Sequence, residues 1–158
     1  MNLRARSVAG FSLVEITLAL GVAAFCLIAV LGMLPVGLKT QQAGVGQTQA
    51  NAIISQIVSD LRAAAHLPPG QQSKQFSLHP HNGGPWDPTP DTLFFTNEGN
   101  SEGSAITAAS VYRATVSYIL PPTETTSLAD IKISWPAPVD PATAVPAGSV
   151  ETLVAINR

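Results

Sequence analysis

The chain has 158 residues, of which only 11% are charged, against roughly 25% in a typical soluble globular protein. This length accommodates one ordinary domain, or a small domain together with a membrane segment. The net charge of −2 gives no electrostatic reason to expect nucleic acid or an acidic lipid surface as a partner, and the single cysteine, Cys26, excludes an intramolecular disulfide and a cysteine-based metal cluster.

The N-terminal region combines a short basic stretch with a long apolar run. Residues 1–10 carry Arg4 and Arg6 and no acidic residue. Residues 16–38 contain no charge, and the first charged residue after them is Lys39. About 20 apolar residues are enough to cross a bilayer as a helix. The pattern predicts one membrane span over residues 11–38, with a cytoplasmic N-terminus because lysine and arginine favour that side.

Glu15 does not fit a simple signal sequence or anchor. It lies four residues inside the apolar block, between Val14 and Ile16. A carboxylate deep in a bilayer costs about 2.5 to 3.5 kcal/mol, so such residues are retained where a partner neutralises them. The position of Glu15 therefore predicts a function for its charge.

Residues 10–15 read Gly-Phe-Ser-Leu-Val-Glu and resemble the prepilin cleavage and methylation motif, G-F-[ST]-L-[IV]-E, of type IV pilins and pseudopilins. The resemblance implies that residues 1–10 are a leader peptide. A prepilin peptidase would cut between Gly10 and Phe11 and methylate the new amine of Phe11. Residues 15–21 and 34–38 further resemble the small pseudopilins known as Verru_Chthon cassette protein B.

The same resemblance implies a function. The chain is expected to be a structural subunit, a minor pilin or pseudopilin, of a type IV pilus-like or type II secretion-like filament at the bacterial inner membrane, with its head in the periplasm. Glu15 would pair with the Phe11 amine of a neighbouring subunit and fix the axial register, since an unpaired charge in hydrocarbon is costly. The expected partners are prepilin peptidase, other pilin subunits and membrane lipid, with no nucleic acid, no cofactor and no enzymatic activity.

Residues 39–67 are predicted to form the second half of the same helix. Five apolar residues share one face at helical spacing, and they are Ile53, Ile54, Ile57, Val58 and Leu61. Pro35 predicts a kink or the exit from the first half, and Gly44 and Gly46 predict a bend or a frayed turn. Pro68, Pro69 and Gly70 then end the helix.

Residues 68–158 are predicted to be a loop followed by an antiparallel head domain, which makes the chain α+β. A loop over residues 71–90 is rich in proline, glycine and asparagine. Alternating apolar residues then predict four strands, Thr92–Asn97, Ser110–Leu120, Asp130–Trp135 and Val150–Ile156. Tyr112, Ala114, Val116, Tyr118 and Leu120 are expected to face the helix. Proline pairs and single prolines, including Pro121-Pro122, mark the turns, and short connections favour a meander.

Two other possibilities follow from the head. His79, His81, Asp87 and Asp91 lie close in sequence, but the intervening Pro80 opposes a regular strand, and a solvated loop is favoured over a metal site. Some pseudopilin heads bind calcium, and Asp87, Asp91, Glu98 and Glu102 keep that alternative open. No nucleophile–base pattern or phosphate loop is present in the sequence. The alternative function is a membrane-anchored or secreted periplasmic binding protein.

Overall fold

The computed structural model describes residues 10–79, 87–123 and 126–157. Its α+β fold consists of one long N-terminal apolar helix and a five-stranded antiparallel sheet, as the sequence predicts. The chain divides into two compact units between Gln41 and Gln42. The first is the apolar part of the helix, and the second contains the rest of the helix and the sheet.

Helix α1 runs from Leu13 to Ala64, a length of 52 residues. It continues through Pro35, so of the kink and the exit predicted there the exit does not occur, and of the bend and the frayed turn predicted at Gly44 and Gly46 the frayed turn does not occur. Leucine and methionine precede Pro35, and glutamine and alanine flank the two glycines. The high helix propensity of these residues compensates for isolated glycines that each cost about 1 kcal/mol. The helix ends in tighter turns, where the Leu67 amide donates to the Ala64 carbonyl at 3.0 Å, just before the prolines.

The sheet contains five strands: β1 (Asp91–Phe95), β2 (Ser101–Gly103), β3 (Tyr112–Thr123), β4 (Thr126–Trp135) and β5 (Gly148–Asn157). Their spatial order is β2-β1-β3-β4-β5, with every neighbouring pair antiparallel. Strands β3, β4 and β5 form the predicted meander. Strand β2 was not predicted. It pairs with the edge of β1 that faces away from β3, so the chain crosses from one side of β1 to the other between β2 and β3.

Two predicted boundaries are corrected by the β3–β4 hairpin. Pro121 and Pro122 were expected to form a turn, but β3 continues through both to Thr123, and β4 begins at Thr126 rather than at Asp130. Proline cannot donate a ladder hydrogen bond. The two prolines fit here because the pairing with β4 is irregular between Ile119 and Thr123.

The core lies between the second half of α1 and one face of the sheet. Ile53, Ile57 and Leu61 of the predicted helix stripe are buried, and Val58 is half-buried against the same cluster. Alternate residues of β3 meet them, with Tyr112, Ala114, Val116 and Tyr118 all buried as predicted. Each fully buried Ile or Val side chain contributes about 1.5 to 3 kcal/mol relative to exposure. This packing fixes the sheet against residues 50–61 of the helix.

Trp135 lies at the end of β4 and packs between two glycines. A Cβ added to Gly46 of the helix would lie 3.2 Å from the indole, and one added to Gly148 of β5 would lie 2.3 Å from its Cζ2 atom. The ring also meets Tyr112 edge to face, with 5.9 Å between centroids. Trp135 is therefore partly buried and packed against the core, and Gly46 has a packing role in the helix.

Replacement of Gly148 by alanine is expected to destabilise the head by about 1 to 3 kcal/mol, because the new methyl group overlaps the indole of Trp135. Thermal unfolding of the full chain in detergent, followed by tryptophan fluorescence, measures the loss. Gly44→Ala is the matched control, since no atom lies within 4 Å of the added Cβ. It is expected to stabilise the helix by up to about 1 kcal/mol. Equal effects of the two substitutions would contradict the packing of Trp135.

Candidate functional site

The predicted cleavage point lies in a short exposed segment before the helix. Gly10, Phe11 and Ser12 are outside α1, and the Phe11 side chain is 80% exposed. No atom lies within 4 Å of a Cβ built on Gly10. A peptide bond must be accessible to enter a protease site, and the Gly10–Phe11 bond meets that requirement. The rest of the predicted leader, residues 1–9, is outside the described residues.

Glu15 lies in the first turn of α1. The Ser12 carbonyl accepts hydrogen bonds from the backbone amides of Glu15 at 3.0 Å and Ile16 at 3.2 Å, so Ser12 is the N-cap residue that precedes α1. Serine followed three residues later by glutamate is the capping-box pattern, which marks helix N-termini. A negative charge in the first turn is also favourable to the helix dipole, by about 0.3 to 1 kcal/mol at an exposed position. This local role of Glu15 was missed from the sequence, although Ser12-Leu13-Val14-Glu15 carries the signal.

The carboxylate of Glu15 is exposed among apolar side chains. Leu13, Val14 and Ile16 beside it are all exposed, and no ion pair reaches it from another described residue. The hydroxyl of Thr17, two residues further along, donates a hydrogen bond within the helix to the Val14 carbonyl at 2.9 Å. Glu15 is thus a charged group with no described partner at the edge of an apolar surface.

The apolar surface that follows Glu15 surrounds the helix. Large side chains from Ile16 to Leu38 are exposed on every side, and the most apolar window of the helix is not buried at all. At 1.5 Å per residue, residues 16–38 extend over about 34 Å, close to the roughly 30 Å thickness of the hydrocarbon core of a bilayer. By length and composition this segment can cross a membrane.

The residues considered for a metal site lie in the head and have other partners. Asp91 Oδ2 accepts hydrogen bonds from the Tyr118 hydroxyl at 2.6 Å and from the His79 amide at 2.8 Å, while Asp91 Oδ1 contacts His79 Nδ1. Asp87 Oδ1 accepts from the amide and the hydroxyl of Thr89, at 2.9 and 2.6 Å. His81 lies outside the described residues. Within the part of the chain that the structure describes, no three His, Cys, Asp or Glu residues come together as a metal site.

The two other carboxylates of the calcium alternative, Glu98 and Glu102, lie in the turn after β1 and in strand β2. Glu102 Oε2 accepts a hydrogen bond from the Thr107 hydroxyl at 2.8 Å, and Glu98 lies in the exposed turn after β1. Asp91, by contrast, is held at the start of β1 by His79 and Tyr118. The described structure therefore does not gather these carboxylates into one site.

Asp60 connects the helix to the loop that follows it. Its side chain is buried, and its two oxygens accept hydrogen bonds from the backbone amides of Gln75 at 3.2 Å and Phe76 at 3.0 Å. Ser73 closes the same loop, because its hydroxyl accepts from the Leu78 amide at 2.9 Å. These contacts satisfy backbone groups that would otherwise be buried without partners. Asp60 and Asp91 therefore position the segment of residues 73–79.

The Tyr118 phenol is the titratable group most affected by this environment. Burial raises its pKa above the ordinary value of 10.0, and the hydrogen bond and charge of Asp91, together with the charge of Asp60, act in the same direction. Ionisation of Tyr118 is therefore easier in the unfolded chain than in the folded one. The stability that it contributes is present below about pH 10, where the unfolded-state tyrosine is neutral, and is lost as the pH rises above that value.

Replacement of Tyr118 by phenylalanine is expected to lower the free energy of unfolding at neutral pH by about 1 to 3 kcal/mol, since the half-buried Asp91 loses a donor. Between about pH 9 and pH 11 the variant should lose less stability than the original chain, because one buried phenol no longer titrates. Denaturant unfolding across that range tests both effects. Tyr112→Phe is the control, and it should retain the Asp91 contact and most of the neutral-pH stability. A steeper alkaline loss in Tyr118→Phe would contradict the effect assigned to the Tyr118 phenol.

The long N-terminal apolar helix and the antiparallel sheet are compatible with a pilin-like fold. No protein-family model, curated protein or solved structure matches the chain. The inference of function therefore rests on the motif of residues 10–15 and on the surfaces described above.

Proposed function

We propose that this chain is a minor pilin or pseudopilin, a structural subunit of a type IV pilus-like or type II secretion-like filament. One observation carries the proposal: the exposed carboxylate of Glu15 stands at the beginning of an apolar helical segment that is uncovered on every side. The motif of residues 10–15, which resembles a prepilin processing site, supports the same conclusion.

Lipid and a bundle of helices differ in how they stabilise Glu15 and residues 16–38. Lipid covers the apolar side chains of residues 16–38 but does not neutralise a carboxylate. A bundle of identical helices in lipid covers the same side chains and can also bring a positive charge to Glu15. Association with other copies therefore both covers the apolar side chains of residues 16–38 and neutralises the carboxylate of Glu15.

Cleavage between Gly10 and Phe11 would supply the positive charge. The new α-amine on Phe11 has an ordinary pKa near 8 and is largely protonated at neutral pH. It would lie four residues before Glu15, a rise of about 6 Å along a helix. A parallel neighbour displaced by that distance brings its amine level with Glu15 of the first subunit. The charge pair would then set the axial register of assembly.

The remaining elements of the proposal concern location and partners. Arg4 and Arg6 favour a cytoplasmic N-terminus, which places the head in the periplasm and the span in the inner membrane. The partners are prepilin peptidase, other pilin subunits and membrane lipid. In this proposal the chain is a substrate of processing enzymes and has no enzymatic activity or cofactor of its own.

A second candidate is a membrane-anchored or secreted periplasmic binding protein. It is favoured by the capping-box pattern of Ser12 and Glu15, which gives Glu15 a purely local role at the start of the helix. In that case the N-terminal segment serves only as an anchor or signal, and the charge of Glu15 is dispensable.

Intact-mass analysis and N-terminal sequencing of the membrane-extracted protein from its host are expected to show a chain that begins at N-methylated Phe11. Gly10→Val should retain residues 1–10, because a β-branched side chain at the cut hinders an extended backbone in the protease site. Gly21→Ala is the control, since the space around Gly21 is open and the residue lies beyond the motif. A wild-type chain that begins at Met1, or is cut beyond residue 38, supports the binding protein instead.

Glu15→Gln distinguishes the two roles of Glu15. Glutamine retains the side-chain acceptor of a capping box but removes the charge. The proposal predicts a fall of roughly tenfold or more in filament yield with normal membrane insertion, since a charge pair of only about 1.4 kcal/mol changes an equilibrium tenfold. Ser12→Ala is the matched control, because it weakens the cap and keeps the charge. Normal assembly of Glu15→Gln together with loss in Ser12→Ala would favour the capping role.

A further inference from the structure

We draw no further inference here: the strongest candidate, the open edge of strand β5 together with the exposed side chains of Ile119 and Leu153 on the sheet face opposite the core, carries nothing because nothing in the structure shows what covers it.

Discussion

Backbone hydrogen bonding within one continuous helix is the constraint on which the rest of the structure depends. Helix α1 satisfies its own amides and carbonyls from Leu13 to Ala64, and its composition then decides what covers each part. Residues 16–38 are apolar on all sides and suit lipid or other helices. Residues 50–61 are apolar on one stripe and suit a sheet. The α+β architecture follows from this change of pattern within a single element.

The main features of the fold were predictable because they depend on periodicity. The stripe from Ile53 to Leu61 and the alternation along Tyr112–Tyr118 each fix a buried face directly from the sequence. Strand β2 was not predictable, since three residues are too few to show a period. Strand β2 follows a tight turn after β1, in which Gly99 adopts a φ of 82° and the Thr96 amide donates to the Asn100 carbonyl at 2.9 Å. The turn predicted at Pro121 and Pro122 is wrong because proline is compatible with an irregular strand segment as well as with a turn.

The residues of the candidate site were likewise predictable only in part. Gly10, Phe11 and Glu15 were predicted to be site residues from a local motif, and all three are exposed at the start of the helix. The roles of Asp60 and Asp91 were not predictable, because each depends on a partner distant in sequence. Asp91 binds Tyr118, 27 residues away, and Asp60 binds the amides of Gln75 and Phe76. Asp91, which suggests a metal site in the sequence, acts here together with Asp60 to hold a loop on the core.

The difference between the two sheet edges has a consequence for aggregation. A strand edge that accepts any other edge allows sheets to add without limit, which is the route to cross-β fibres. Here the two edges are unequal, because β5 is long and regular, whereas Glu102 and an irregular ladder at β2 oppose the addition of a strand. Addition of one head to the next therefore fails wherever one of the two edges that meet is β2. The head can therefore carry a long and regular edge strand without becoming a template for amyloid.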